Sequence, residues 1–344
     1  MRYKTTIADI ARELNTTPAT VSRALSNHPG ISEKTKKLVM KTASKLNYKR
    51  NRVASSLRSG KTQLIGVIIP SAEINFFGSV VHGIESVAST HGYNVLLYQS
   101  NESRDYEERG LDSFLSARVD GILISLAKDT IDYSHLKEIK KRGVPIVFFD
   151  RANDELGIDS VVIDDYKGAF IATEHLIRNG YKRIAHVSGP QHLKNFQDRL
   201  QGYKAALQSH GLKFDPALVF QGNISIDSGR EGMKKFAALK RRPDAVFAAE
   251  DFTALGVVTE AKERKIRIPQ ELGVIGFANE LFGDHITPRL STIDQQTIQM
   301  GRSALNLLID LIEKKETGNQ RQQKIVLDPI LISRDSSVRL NGQP

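Results

Sequence analysis

The run Thr17-Pro18-Ala19-Thr20-Val21-Ser22-Arg23 sets three hydroxyls and one guanidinium within seven residues. Thr17 followed by Pro18 is a helix start: a hydroxyl N-cap, then a proline whose fixed φ suits the first helical position. At helical spacing Val21, Ala24 and Leu25 share one face, leaving Ala19, Thr20, Ser22 and Arg23 on the other. Short hydroxyls donate to phosphate oxygens and position a protein on a duplex; Thr17, Ser22, Ser32 and Thr35 have this capacity. The Arg23 guanidinium can make two parallel bonds to O6 and N7 of guanine. The chemistry open to this face is recognition of duplex DNA.

A second set of polar groups follows short apolar runs farther along the chain. They are Asn75-Phe76-Phe77, Asn101, Asp150-Arg151, Gln191, Asn223-Ile224, Glu250-Asp251 and Asn279-Glu280. In parallel α/β sheets ligands bind beyond the carboxyl ends of the strands, so these residues are candidates for holding a small polar ligand. Plainer readings exist: Phe76 and Phe77 as core, Asp251 as a helix cap.

Catalytic patterns are missing. With no cysteine there is no disulfide, thiolate metal site or thiol nucleophile. Ser59-Gly60-Lys61-Thr62 imitates the end of a phosphate-binding loop, but Ser55 stands where that motif needs glycine. No His-Glu-x-x-His or Gly-x-Ser-x-Gly occurs, and the nine histidines lack metal-ligand spacing. The expectation is a protein that is not an enzyme and holds no cofactor or metal.

Stepping from these groups to the elements that carry them, residues 6–46 fit three short amphipathic helices. The first starts at Thr6, with Asp9 completing a capping box and Ile7, Ile10, Ala11 and Leu14 at helical spacing. It stops at Asn15, which tolerates a left-handed turn. The second is the run above. The third starts at Ser32 after Pro29-Gly30, with Leu38, Val39, Ala43 and Leu46 expected inward. Two short helices, a tight turn and small residues at their approach (Ala8, Ala11) describe a helix-turn-helix.

Charge supports that reading. Residues 1–61 hold 14 Lys and Arg against three acids, whereas the other 283 residues hold 35 basic and 36 acidic groups. The whole excess lies on the head, which points to a polyanionic partner. A helical bundle without a nucleic-acid role would not need it. Residues 48–61 form a basic hinge, with a short helix possible from Asn51 to Arg58 that is too short to be stable in water by itself. Leu57 within it could wedge a minor-groove base step.

From Leu64 onward, strand-like runs alternate with amphipathic helices: Leu64–Ile69, Asn94–Tyr98, Gly121–Ser125, Pro145–Phe149, Arg183–Val187, Ala245–Ala249 and Gly273–Phe277. Several helices end in glycine just before a strand, as at Gly92, Gly143, Gly180 and Gly211. The expected fold is α/β: an all-α helix-turn-helix head (1–47), a hinge (48–61), and a body (62–344) of two doubly wound subdomains with a cleft between them. No apolar run reaches membrane-span length and no signal-peptide h-region opens the chain, so a cytoplasmic location is expected. A solute-binding protein would share the body but carry a leader and no head. A nucleoid-type DNA protein would not need a two-lobed body.

Thr20-Val21-Ser22-Arg23-Ala24-Leu25, Leu46-Asn47-Tyr48, Asn51-Arg52-Val53-Ala54 with Leu57, and Ile65-Gly66-Val67-Ile68 resemble the lactose-repressor/galactose-repressor (LacI/GalR) family of bacterial transcription regulators. The resemblance extends over essentially the whole chain. It implies a homodimeric repressor whose heads bind a pseudo-palindromic operator, with a body like periplasmic sugar-binding proteins and a carbohydrate-type effector between the subdomains. On this basis the DNA-contacting set is Thr6, Thr17, Pro18, Ala19, Thr20, Ser22, Arg23, Ser32, Thr35, Tyr48, Asn51, Ala54 and Leu57. Pro18 and Ala19 fall at the family's specificity positions, where neither side chain can hydrogen-bond, and Leu57 at the intercalating position. The effector set is Phe76, Phe77, Asp150, Arg199, Ile224, Glu250, Asp251, Asn279 and Glu280. Arg199 matches the arginine that clamps the ligand, Asp150 an acceptor of ligand hydroxyls, Phe76 and Phe77 wall positions, and Ile224 an often aromatic position. Two departures stand out. Glu250 replaces a frequent asparagine, and Ala278 stands where an aspartate is common, followed by Asn279-Glu280.

Overall fold

A computed structural model describes residues 5–48, 60–313 and 322–339. The chain divides into two compact units, Met1–Thr62 and Gln63–Pro344. In the first, α1 (Ile7–Glu13), α2 (Pro18–Leu25) and α3 (Glu33–Lys45) start at Thr6, Thr17 and Ser32, each side chain accepting an N–H from the first turn. Each helix is followed by a left-handed asparagine: Asn15 (φ 46°), Asn27 (φ 52°) and Asn47 (φ 49°). These turns fold the helices around Ile10, Ala11, Val21, Ala24, Val39 and Ala43, all buried. Burying a side chain such as Ile10 contributes about 1.5–3 kcal/mol. Leu38 departs from expectation and is 51% exposed. The inward stripe of α3 runs through Lys36, Val39, Thr42 and Ala43, and Leu38 falls off its edge. Ala8 is also exposed; Ala11 alone makes the close approach.

In the second unit the strands are β1 (Leu64–Ile69), β2 (Asn94–Gln99), β3 (Gly121–Ile124), β4 (Ile146–Phe149), β5 (Asp159–Ile163), β6 (Ile184–Ser188), β7 (Val219–Gln221), β8 (Ala245–Ala248), β9 (Gly273–Ile275), β10 (Thr292–Asp294), β11 (Lys324–Leu327) and β12 (Ile330–Ile332). The helices are α4 (Asn75–Thr90), α5 (Arg104–Ala117), α6 (Ser134–Lys141), α7 (Asp165–Arg178), α8 (Lys194–Ser209), α9 (Ile226–Ala237), α10 (Asp251–Glu263) and α11 (Thr297–Glu313). One parallel sheet has the order β11-β5-β4-β3-β1-β2 and the other β7-β6-β8-β9, while β10 and β12 form an antiparallel pair. β1, β3, β4, β6 and β8 are buried along nearly their whole length, as sheets covered on both faces require. The seven expected strands are present; β5, β7, β10, β11 and β12 were not anticipated.

The first lobe is β1–β5 with α4–α6, and the second is β6–β9 with α7–α10. The chain crosses between them three times: from β5 into α7, from β9 through β10 into α11, and from β11 into β12. α11 therefore returns to the first lobe and packs on α4, β3, β4 and β5. Two glycines permit that packing. A Cβ on Gly83 would lie 2.2 Å from the Ile298 carbonyl oxygen, and one on Gly301 2.1 Å from that of Val80. Gly92 and Gly211, at φ 72° and 69°, end α4 and α8.

Candidate functional site

The head presents α2 with its apolar residues turned inward and Pro18, Ala19 and Arg23 exposed. Arg23 forms no ion pair among the described residues, so its guanidinium is available to an outside acceptor. The hydroxyls are more committed than their types suggested. Thr6 Oγ1 donates its one proton to Asp9 Oδ2 at 2.7 Å, so it caps α1 and has no proton left for phosphate. Thr17 and Thr20 lie with their hydroxyls 2.9 Å apart, as do Ser32 and Thr35, so each pair keeps one proton for a partner. Ser22 is half-exposed and Tyr48 packs against the head core. Asn51, Ala54 and Leu57 lie outside the described residues, as does most of the hinge.

In the body a cavity of about 530 Å³ opens between the lobes. Its lining comes from the carboxyl end of one strand after another. Phe76 and Phe77 follow β1, Glu102 follows β2, Lys128 follows β3, and Asp150 and Arg151 follow β4. From the second lobe, Asn195, Phe196 and Arg199 follow β6, Ile224 and Ser225 follow β7, Glu250 follows β8, and Ala278 and Glu280 follow β9. Gln295, just past β10, completes the floor.

Arg199 is 3% exposed and held on every side. Its Nε donates to Asp165 Oδ1 (2.8 Å), its Nη1 to the Ala249 carbonyl (2.6 Å) and its Nη2 to Gln295 Oε1 (3.4 Å), while the Phe277 ring lies 3.7 Å from Cζ. With Nη2 also 2.7 Å from Asp165 Oδ1, one Nη1 hydrogen of this planar fork remains, pre-oriented for a ligand oxygen. Across the cavity, Asp150 Oδ2 accepts Ser125 Oγ at 3.1 Å. Burial pushes the Asp150 carboxyl above its ordinary value, with Arg151 and Arg199 acting against it. Arg151 itself is engaged by Glu102 at 2.6 and 3.0 Å. Burial disfavours the Glu102 carboxylate, yet Arg151 and Lys128 hold it below the usual range.

The acids at the second lobe act on helix ends. Glu250 Oε2 accepts the N–H groups of Phe252 (2.8 Å) and Thr253 (3.3 Å) and so caps α10. Burial, reinforced by Asp251, pushes Glu250 up to about 8. Glu280 Oε1 accepts the Phe76 N–H at 3.0 Å, across the cleft at the start of α4. Asp150, Ile224 and Ala278 have φ of 60°, 58° and 137°. Such strained positions gather where a fold over-determines a binding surface.

Two expected ligand residues are placed elsewhere. Asp251 is fully buried, with Oδ1 accepting Thr292 Oγ1 (2.7 Å) and Oδ2 the Glu280 N–H (2.8 Å). Asn279 bonds Asp294 Oδ2 at 2.7 Å and Arg334 at 2.9 Å. Neither lines the cavity; both shape the loop that carries Glu280 into it. Asn75, Asn101, Gln191 and Asn223 are also outside the lining. Sequence reasoning missed Glu102, Lys128, Asn195, Phe196 and Gln295. The first two follow strands as the others do, and Asn195 is four residues before Arg199 on the same helix face. Gln295 carried no signal, because β10 was not foreseen. Among the described residues no cluster of His, Asp or Glu is arranged to hold a metal, and no helix is long and apolar enough to cross a membrane.

Comparison with known proteins agrees with this geometry. Residues 62–330 match the family of periplasmic binding proteins and sugar binding domain of the LacI family, and residues 6–51 match the bacterial regulatory proteins of the lacI family. Catabolite control protein A of Priestia megaterium is 35% identical over 311 residues, covering 90% of this chain and 93% of the relative. The structure of the transcriptional regulator CelR in complex with cellobiose superposes with a TM-score of 0.73 at 28% identity, covering 97% of this chain and all of that one. A lac repressor dimer bound to operator and the anti-inducer ONPF has the same fold, with a TM-score of 0.86 at 24% identity over 98% of this chain and 100% of that one. The chain belongs to the LacI family of bacterial regulatory proteins: it is a DNA-binding transcriptional regulator, and not an enzyme.

Proposed function

We propose that this regulator is a cytoplasmic, dimeric repressor whose operator affinity is set by a sugar or sugar derivative held in the cavity between the lobes. One observation carries the reading. The fixed Arg199 fork and the Asp150 carboxyl face the same cavity from different lobes, between the aromatic walls of Phe76, Phe77 and Phe196. Donors for ring and hydroxyl oxygens, an acceptor for hydroxyl protons and apolar faces for C–H surfaces are what a polyhydroxylated ring needs. Each head docks α2 in a major groove, Arg23 reading a base while the Thr17/Thr20 and Ser32/Thr35 pairs hold phosphates. Two heads cover half-sites about one helical turn apart.

Ligand contacts made by both lobes favour one relative orientation of the lobes. That orientation alters the spacing of the two hinges, residues 48–61, on DNA. Coupling of this kind amounts to about 1–3 kcal/mol, or roughly 5- to 150-fold in operator affinity. The test is a fluorescence-anisotropy titration of operator DNA with and without a panel of sugars. A sugar that changes operator affinity in the wild type and not in Arg199→Ala supports the reading. An unchanged response in that variant would place the effector elsewhere.

A further inference from the structure

Helices that start at the cavity wall could each offer unpaired N–H groups and about half a unit of positive charge, the usual seat of a phosphate or carboxylate. Here three of those seats are taken from within. α4 has Ile74 at its N-cap and no side-chain cap of its own. Glu280, 3% exposed and carried by the other lobe, fills the place by accepting the Phe76 N–H at 3.0 Å, with the Asn75 N–H beside it. Its own N–H is pinned by Asp251 Oδ2 at 2.8 Å, so the carboxyl is held there by a second bond to its backbone. α10 is filled in the same way by Glu250, through Phe252 and Thr253. The start of α9 is capped by Ser225, whereas that of α8 has Leu193 at its N-cap and no side-chain cap.

Two of the three cations that line the cavity are likewise engaged, and the third, Lys128, adds its charge beside Glu102. Arg151 is paired with Glu102 and Arg199 with Asp165. Asn195 is 7% exposed and lines the cavity, and its Oδ1 is buried without a hydrogen-bond partner. A hydroxyl or an ammonium satisfies that oxygen; a phosphate or carboxylate does not.

Building on the effector reading above, we propose that Glu280 and Glu250 are specificity-determining residues. By occupying the starts of α4 and α10, they restrict the cavity to neutral or amine-bearing sugars and exclude sugar phosphates and sugar acids. The departures at positions 250, 278 and 280 are then a device that selects the effector's charge.

The experiment is calorimetric titration of the full-length protein with hexoses and their disaccharides, hexosamines, hexose 6-phosphates and hexuronic acids. The wild type binds a member of the first two groups and neither of the last two. Glu280→Ala and Glu250→Ala, which empty the helix starts, gain about tenfold in affinity for the hexose 6-phosphate of the sugar that binds. Glu280→Gln and Glu250→Gln keep an oxygen at each start and retain the wild-type preference. Wild-type protein that prefers the phosphate or the acid over the neutral sugar overturns the proposal and leaves the effector reading standing. Folded alanine variants, with melting transitions like the wild type, that gain nothing for the phosphate also overturn it. Silence of the wild type toward all four groups overturns the effector reading, and this proposal with it.

Discussion

The Arg199 guanidinium meets Asp165 Oδ1 twice, through Nε at 2.8 Å and Nη2 at 2.7 Å, with the two side chains 3% and 6% exposed. The pair joins α8 to the first turn of α7, directly behind the cavity. Removing one member leaves the other buried and uncompensated. Arg199→Ala is expected to lower stability by about 3–5 kcal/mol in urea unfolding. The double variant Arg199→Ala/Asp165→Asn should recover part of that loss, because no carboxylate is left stranded. A single variant as stable as the wild type would show that the pair is not coupled to folding.

Arg23 is exposed on α2 and pairs with no carboxylate among the described residues. Arg23→Ala should therefore leave the circular dichroism and melting of the protein unchanged. Operator affinity should fall by about 1–3 kcal/mol, roughly 5- to 150-fold, while affinity for random DNA falls little. Equal losses on both DNAs would assign Arg23 to phosphate.

Glu250 should give stability a pH dependence. Its carboxyl is pushed up to about 8 in the folded protein from an ordinary value of 4.5. Between these values the folded state keeps a proton that the unfolded chain has lost. Stability then falls as pH rises from about 4.5 through about 8 and levels off above. Asp251, Glu280 and Arg151 face the same group, so the slope is shared. Glu250→Gln should flatten the melting temperature against pH in that window, and an unaltered profile would remove Glu250 as its source.

Gly301→Ala places a methyl group 2.1 Å from the Val80 carbonyl oxygen, a backbone atom that cannot swing away. α4 and α11 must separate, at a cost of about 1–3 kcal/mol. Denaturant unfolding checks this, with Gly78→Ala as the comparison, since nothing lies within 4 Å of its added Cβ. Equal stabilities of the two variants would contradict the close packing.

Much of this architecture could be read before the structure. Hydroxyl caps at Thr6, Thr17 and Ser32 and the turn at Asn15 are local chemistry, so the helices of the head were legible. The strand-end rule found Phe76, Phe77, Asp150, Ile224, Glu250 and Glu280. It also nominated Asp251 and Asn279, because a short polar side chain after a strand looks the same whether it faces a ligand or braces a loop. Thr292, Asp294 and Arg334, which engage those two, are distant in sequence and sit in or next to β10 and β12. Those strands have three residues each, too few to show a period. Leu38 was misplaced for a related reason: one apolar residue at the rim of a stripe cannot be assigned a side by type alone.

The path of the chain between the lobes bears on how the protein is made. α11 and β11 are synthesised after the sheet of the second lobe, yet they belong to the first lobe, where β11 pairs with β5 and α11 covers α4. While the ribosome is still making the second lobe, the first has an open strand edge at β5 and a bare apolar face on α4. The second lobe's sheet needs only residues 184–275, a contiguous stretch, and its strands can pair as they emerge. The lobe begun first is thus still open when the second lobe's sheet is already made. During translation a chaperone should find its binding surface on the nascent first lobe, along β5 and α4, until α11 and β11 arrive.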